Sequence, residues 1–380
     1  MLVFALSGVT SLQAATDFLL AQAQIDSNAP PATDKDNESD KPGKFGNFLP
    51  LPIVITEPAI GQGLGATLIY FHNEEDERKA RVSTPDELSR TGERSKPPPT
   101  ATGIFGFYTN NDTAAVGIGH SNSFVDDHFR LRVAAAKARI NSTFYLGDEP
   151  IGFRLEGNML FADMKFRLGD SDTFLGLSSS YIDAGNKFGD GSDGIDGLLD
   201  FDFVDVGLAA SLTYDTRDNT ILPTNGFLVE LTGWQHDESI GSDFNYSLAS
   251  FKGLWFTPLG KKYVLGARIV SSAVDGNPPF FAFPYVRLRG IPALRYQGEV
   301  ASAIEFEARR QVAERWTASL FAGAGSVRVG AEQVETEDEI RTIGIGTRFL
   351  AFREQDAWVG VDIARGPEDL TAYIQVGSSW

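Results

Sequence analysis

Phe203-Val204-Asp205-Val206-Gly207-Leu208-Ala209-Ala210-Ser211-Leu212-Thr213 alternates apolar with small or polar side chains along its whole length. A repeat of two is the period of a β-strand; a helix would repeat at 3.6. The alternation extends over 201–215 and stops at the turn-forming run Thr216-Arg217-Asp218-Asn219. Soluble strands average about 5–6 residues, whereas a strand crossing an outer membrane at its tilt needs roughly 9–11. The segments around Phe227–Trp234, Phe244–Phe256 and Thr317–Val327 repeat this length and pattern. The reading is therefore an all-β, transmembrane antiparallel barrel.

Working outward, strands are expected near 60–72, 100–110, 113–124, 129–146, 154–168, 173–186, 201–215, 225–237, 243–257, 262–275, 299–313, 316–329, 339–353, 357–365 and 371–379. Single-chain bacterial barrels have even strand numbers. A further strand at 48–57 makes sixteen; fourteen and twelve stay open. With the C-terminus on the periplasmic side, 187–200 and 276–298 become outer loops. Thr216–Thr224 and Glu314-Arg315 become periplasmic turns, and the charged segment 73–99 falls in the periplasm.

The composition suits this class. The 380 residues carry a net charge of −18 with pI near 4.7, which argues against nucleic acid as partner. Cysteine is absent, so neither disulfides nor thiolate metal sites are expected. Glycine (39) and phenylalanine (28) are abundant, as tight turns and aromatic girdles require. Residues 1–23 read as a signal peptide, with Ala21-Gln22-Ala23 as the cleavage signal and Ala14 as a rival site, although Asp17 interrupts the apolar run. Residues 24–47 read as a disordered periplasmic leader and 48–380 as the barrel.

Two segments carry a family likeness. Tyr214-Asp215-Thr216-Arg217-Asp218-Asn219, followed by Pro223-Thr224-Asn225-Gly226, resembles the strand–turn–strand of the BamA/TamA outer-membrane assembly superfamily, also called the bacterial surface antigen family. Asn-Gly supplies the positive φ needed to re-enter a strand. Val286-Arg287-Leu288-Arg289-Gly290-Ile291 is similar to that family's V-R-G-aromatic loop motif, with Ile291 in the aromatic position. The likeness is to a short form lacking periplasmic POTRA repeats. It implies that the long outer loop re-enters the lumen, placing Arg287, Arg289, Gly290 and Ile291 there.

Glu305-Phe306-Glu307-Ala308-Arg309 resembles the family's E-x-R strand. Alternation puts Glu305, Glu307 and Arg309 on one face, which lipid would penalise, so that face should line the lumen and hold partners of Arg289. The family usually has Asp where Gly323 stands, which removes one expected partner. The likeness further implies a seam between first and last strands, here assigned to Gly61, Gly63, Gly65, Gly377 and Trp380. Close packing at a tight bend explains the glycines equally well. The terminal Tyr373–Trp380 resembles the signal read by the barrel-assembly machinery.

No enzyme signature emerges. His72, His120, His128 and His236 lack metal-ligand spacing, and His120-Ser121 would point to opposite faces of a strand. No cofactor or metal is expected. The expected function is assembly or translocation of protein or lipid at the bacterial outer membrane, with membrane lipid, a periplasmic partner or a second copy of the chain as associates. The alternative is a passive channel or structural surface antigen.

Overall fold

The computed structural model describes residues 48–72, 100–125, 127–146, 149–188, 200–219, 222–329, 340–352, 357–376 and 380. The expected signal peptide, leader, charged segment 73–99 and Gly377 lie outside the described residues. Sixteen strands follow one another: β1 (Phe48–Glu57), β2 (Gly61–Phe71), β3 (Ala101–Thr109), β4 (Ala114–Phe124), β5 (Phe129–Leu146), β6 (Glu149–Arg167), β7 (Thr173–Phe188) and β8 (Phe201–Asp215), then β9 (Gly226–His236), β10 (Tyr246–Leu259), β11 (Tyr263–Gly276), β12 (Val300–Ala313), β13 (Trp316–Arg328), β14 (Arg341–Phe352), β15 (Ala357–Arg365) and β16 (Leu370–Val376). Each pairs antiparallel with the next, giving one meandering sheet that curls into a nearly closed barrel. Both ends of the sheet therefore lie at one rim, the base, and the long 277–299 loop leaves from the opposite rim.

Alternation sorts the side chains as expected. On β12, Glu305 is fully buried while Phe306 is 57% exposed. Leu64, Ile118, Leu177, Leu212, Leu320 and Ile345 likewise point outward and form an apolar band. Inside, the wall carries paired charges. Arg132 donates to Asp163 through Nε (2.9 Å) and Nη2 (2.5 Å), and Lys165 meets Glu230 at 2.8 Å. Such pairing is what makes a buried charge tolerable.

Two boundaries differ from the expected ones. β6 starts at Glu149, five residues early, so its hairpin with β5 stands well above the apolar band. β10 starts at Tyr246, because Glu238–Ile240 form a 3-10 turn capped by Asp237 and Gly241. β16 is described as far as Val376, and its expected continuation to 379 lies outside the described residues. Wall height is thus uneven, from the 19 residues of β6 to the 9 of β3.

The barrel closes weakly where its ends meet. β16 adjoins β1, but among the described residues no backbone ladder joins them. The Ile374 amide donates to Thr56 Oγ1 at 3.4 Å.

Candidate functional site

The segment after β11 turns at Gly276, where φ is +97°, and then descends into the barrel. Its upper part is aromatic. Phe280 packs against Phe144, Phe153 and Phe188, and Phe281 packs against Phe203 and Phe244, all on the β5–β8 side except the last. Its lower part presses Val286, Leu288 and Ile291 onto the opposite wall, where all three are buried. The loop thus crosses the lumen and fills it.

Arg289 is the polar centre of this plug. Its Nε and Nη2 donate to Glu305 Oε1 at 3.1 and 2.7 Å, and Nη1 donates to Glu307 (2.8 Å) and Asp362 (3.0 Å). The Phe321 ring lies beneath the guanidinium, 3.4 Å from Cζ to the ring centroid. Charge-assisted bonds of this kind are shorter and stronger than neutral ones. Asp362 also accepts from Arg348 at 2.6 and 2.9 Å, and Glu307 lies 3.4 Å from Arg309. Three carboxylates therefore meet the guanidiniums of Arg289, Arg309 and Arg348, and Arg268 lies opposite Glu305 on the paired strand.

Asp362 was not anticipated. It stands on β15 and supplies a third carboxylate that Gly323 cannot. Gly323 has a different use: a Cβ there would lie 2.7 Å from Leu288 Cδ2, so the missing side chain makes room for the loop. Gly290 is also constrained. Its φ is +94°, a Cβ would approach Ala364 and Gly366 at 3.2 Å, and its amide donates to the Tyr373 hydroxyl at 2.9 Å. Ile291 lies buried beside Gly366. Arg287 presents its carbonyl to Arg268 Nη1 (2.9 Å) and its guanidinium to the Tyr285 ring.

The loop grips both sides of the weak closure. Glu57 at the end of β1 accepts from the Ala293 amide at 3.1 Å, and Arg295 Nε meets Glu368, between β15 and β16, at 2.5 Å. Tyr373 on β16 holds Gly290.

Residues 101–280 match the model of the Omp85 superfamily domain. Over that stretch the chain is similar to the Omp85 superfamily. Solved structures extend the likeness of fold around the whole barrel. BamA from Haemophilus ducreyi lacking POTRA domains 1–3 superimposes with a TM-score of 0.58 at 12% identity, over 97% of this chain and 77% of that one. CdiB from Escherichia coli gives 0.62 at 10% identity (93% and 68%), and CdiB from Acinetobacter baumannii 0.57 at 9% (87% and 59%). No curated protein sequence matches the chain.

The remaining expected residues of the barrel are placed as follows. At the base, Arg217 donates twice to Asp215 at 2.8 Å, Asp218 accepts from the Thr224 and Asn225 amides, and Asn219 accepts from Leu222. Gly226 has φ +97°, and the Pro223 carbonyl accepts from Arg309. That last bond ties the basal turn to the wall that carries the plug. Gly61, Gly63 and Gly65 are not at the closure. They lie on β2, where a Cβ at Gly63 or Gly65 would lie 2.3 Å from a β3 carbonyl, so they serve close packing of β2 on β3. Trp380 turns into the lumen instead of extending a strand: its indole donates to Glu305 Oε1 and its ring packs beside Phe256.

Two further clusters escaped the sequence reading. Asp205 on β8 accepts from Ser242 (3.0 Å) and Tyr246 (2.9 Å) and lies 2.6 Å from His236 Nδ1, all under the aromatic part of the plug. At the base, Asp127 receives Arg130 through Nε (2.6 Å) and Nη2 (2.5 Å), and it receives Arg167 as well. Burial opposes ionisation of Asp127, but the two guanidiniums outweigh it and hold the carboxyl below its ordinary range. Among the described residues no group of three or more metal-ligating side chains forms.

Proposed function

We propose that this chain is a bacterial outer-membrane barrel acting in assembly or translocation of protein or lipid, with its lateral closure as the working part. One observation carries the reading: among the described residues the re-entrant loop, not a backbone ladder, spans from β1 to β16. A barrel sealed only to conduct would gain from a continuous ladder, because an unpaired edge in hydrocarbon leaves backbone groups unsatisfied at several kcal/mol each. A closure held instead by side chains can be released without unfolding either strand. The apolar outer band supports the membrane setting, and the superimposed BamA and CdiB barrels support the class of activity.

The test is a disulfide across the closure. The chain has no cysteine, so Thr56→Cys with Ile374→Cys introduces a single pair. In a strain deleted for the native gene, the oxidised protein should fail to restore the wild-type phenotype and reductant should rescue it. Full complementation by a quantitatively cross-linked barrel would instead establish the passive channel or surface-antigen reading.

A further inference from the structure

The outward face of β5–β7 changes character abruptly. Ala135, Leu160 and Tyr181 are cross-strand neighbours and form the last apolar row of the band. The next outward row is Lys137–Asn158–Asp183, then Arg139–Glu156–Gly185, then Asn141–Arg154–Lys187. Lys137, Arg139, Arg154 and Lys187 are all exposed. Four cations against Glu156 and Asp183 make this face locally basic on a chain whose net charge is −18.

Only part of that charge is used internally. Arg139 pairs with Glu156 at 3.1 Å, and Arg154 donates through Nε to Asn141 at 2.6 Å. Lys137 reaches Glu156 only through its charge, and neither Lys137 nor Lys187 makes an ion pair or hydrogen bond among the described residues. Arg154 and Lys187 stand directly opposite each other on paired strands. Like charges so placed are destabilising unless an anion lies between them.

We infer that this face binds the phosphorylated headgroup of an outer-leaflet glycolipid. The inference rests on the proposed outer-membrane setting, which puts the loop rim outside the cell. The position fits: the cations begin at the row where the apolar band ends, so acyl chains can lie on Ala135, Leu160 and Tyr181 while phosphates meet the amines above. The spread also fits a headgroup bearing more than one phosphate, since Lys137 and Lys187 are separated by roughly 13 Å along the strands and 10 Å across them. A free phosphate ion would use one cation pair and have no reason to favour the edge of an apolar band.

The test uses the purified full-length barrel in detergent, with native mass spectrometry of retained bisphosphorylated lipid A. The triple variant Lys137→Gln/Arg154→Gln/Lys187→Gln leaves the Arg139–Glu156 pair intact. Retention should fall roughly fivefold per charge, on the order of a hundredfold in all. Dephosphorylated lipid A should not be retained. The reverse variant, Glu156→Gln with Asp183→Asn, should bind more tightly, which guards against reading misfolding as lost binding. Equal retention by the triple variant, or of the dephosphorylated lipid, overturns the inference. Displacement of the lipid by millimolar inorganic phosphate would identify a simple anion site and also overturn it. Gly152→Cys, at an exposed and open position one row beyond the cations, separates the two readings: labelling of intact cells by an impermeant maleimide places this face outside. A labelled protein that retains no lipid defeats only this inference, whereas labelling confined to lysed cells defeats the proposed orientation as well.

Discussion

Replacing Arg289 by Met tests whether the plug is held by one buried charge network. The change keeps a long apolar side chain but removes four hydrogen bonds to carboxylates. The three acids are not left equally exposed to the loss. Asp362 keeps both bonds from Arg348, and Glu307 keeps Arg309 at 3.4 Å. Glu305 keeps the Trp380 indole and the charge of Arg268, its neighbour on β11, but loses both guanidinium hydrogen bonds, and its Oε2 has no hydrogen-bond partner among the described residues. Breaking a buried pair from one side costs about 3–5 kcal/mol, and here most of it should arise at Glu305, the acid that loses both its guanidinium hydrogen bonds. Glu305→Gln alone should cost about 1–2 kcal/mol, because Arg289 retains two other carboxylates. The double variant should then be more stable than Arg289→Met alone, with a coupling of about 2 kcal/mol or more. Urea unfolding in detergent, followed by tryptophan fluorescence at constant m value, reads each state. Planar-bilayer recordings of the same proteins should show small or gated currents for wild type and larger ones for Arg289→Met. Strict additivity of the two substitutions, together with unchanged conductance, would refute the network.

Two further predictions concern the backbone at the plug and the charge at the base. Gly290→Ala should destabilise the loop by about 1–3 kcal/mol, since it forces a side chain into positive φ against β15, and it should raise conductance without altering strand content by circular dichroism. Asp127 has a folded-state pKa below its unfolded value, so its stabilisation is present above the unfolded pKa and is lost as pH falls through the folded one. Wild type should therefore lose urea resistance on acidification below about pH 4, and Asp127→Asn should be weaker at neutral pH but flatter across that window. Parallel acid profiles for the two proteins would show that the pair contributes nothing.

The strands were readable because alternation and length are local properties. All sixteen occur close to where the pattern placed them, and the largest misjudged starts have local causes. Outward of Arg154 and Glu156 the β5–β6 hairpin has left the apolar band, so the contrast between faces fades and the start at Glu149 is hidden. Asp243 to Asn245 alternate well enough, but Asp243 is engaged with the Val204 backbone in the loop. Within the site, Glu305 and Glu307 were legible because two acids on one face of a membrane-length strand must point inward. Asp362 was not, because a single inward acid gives no hint of which loop will reach it. The role of Gly323 was hidden for the same reason: its value lies in the volume it yields to Leu288, a residue 35 positions earlier. The seam was misassigned because the glycine run looked like an edge, whereas β1 before it completes the sheet.

The partners of Arg289 and its neighbours arrive at very different times along the chain. Glu305 and Glu307 follow within 16 and 18 residues, Asp362 after 73, and Tyr373 lies 83 residues beyond Gly290. Glu57, which holds Ala293, is 236 residues away and sits on the first strand. The plug cannot be completed until the first and last strands stand side by side. It therefore registers whether the wall has been finished, and a barrel stalled before β15 leaves Arg348 without its carboxylate and the loop without its far anchors.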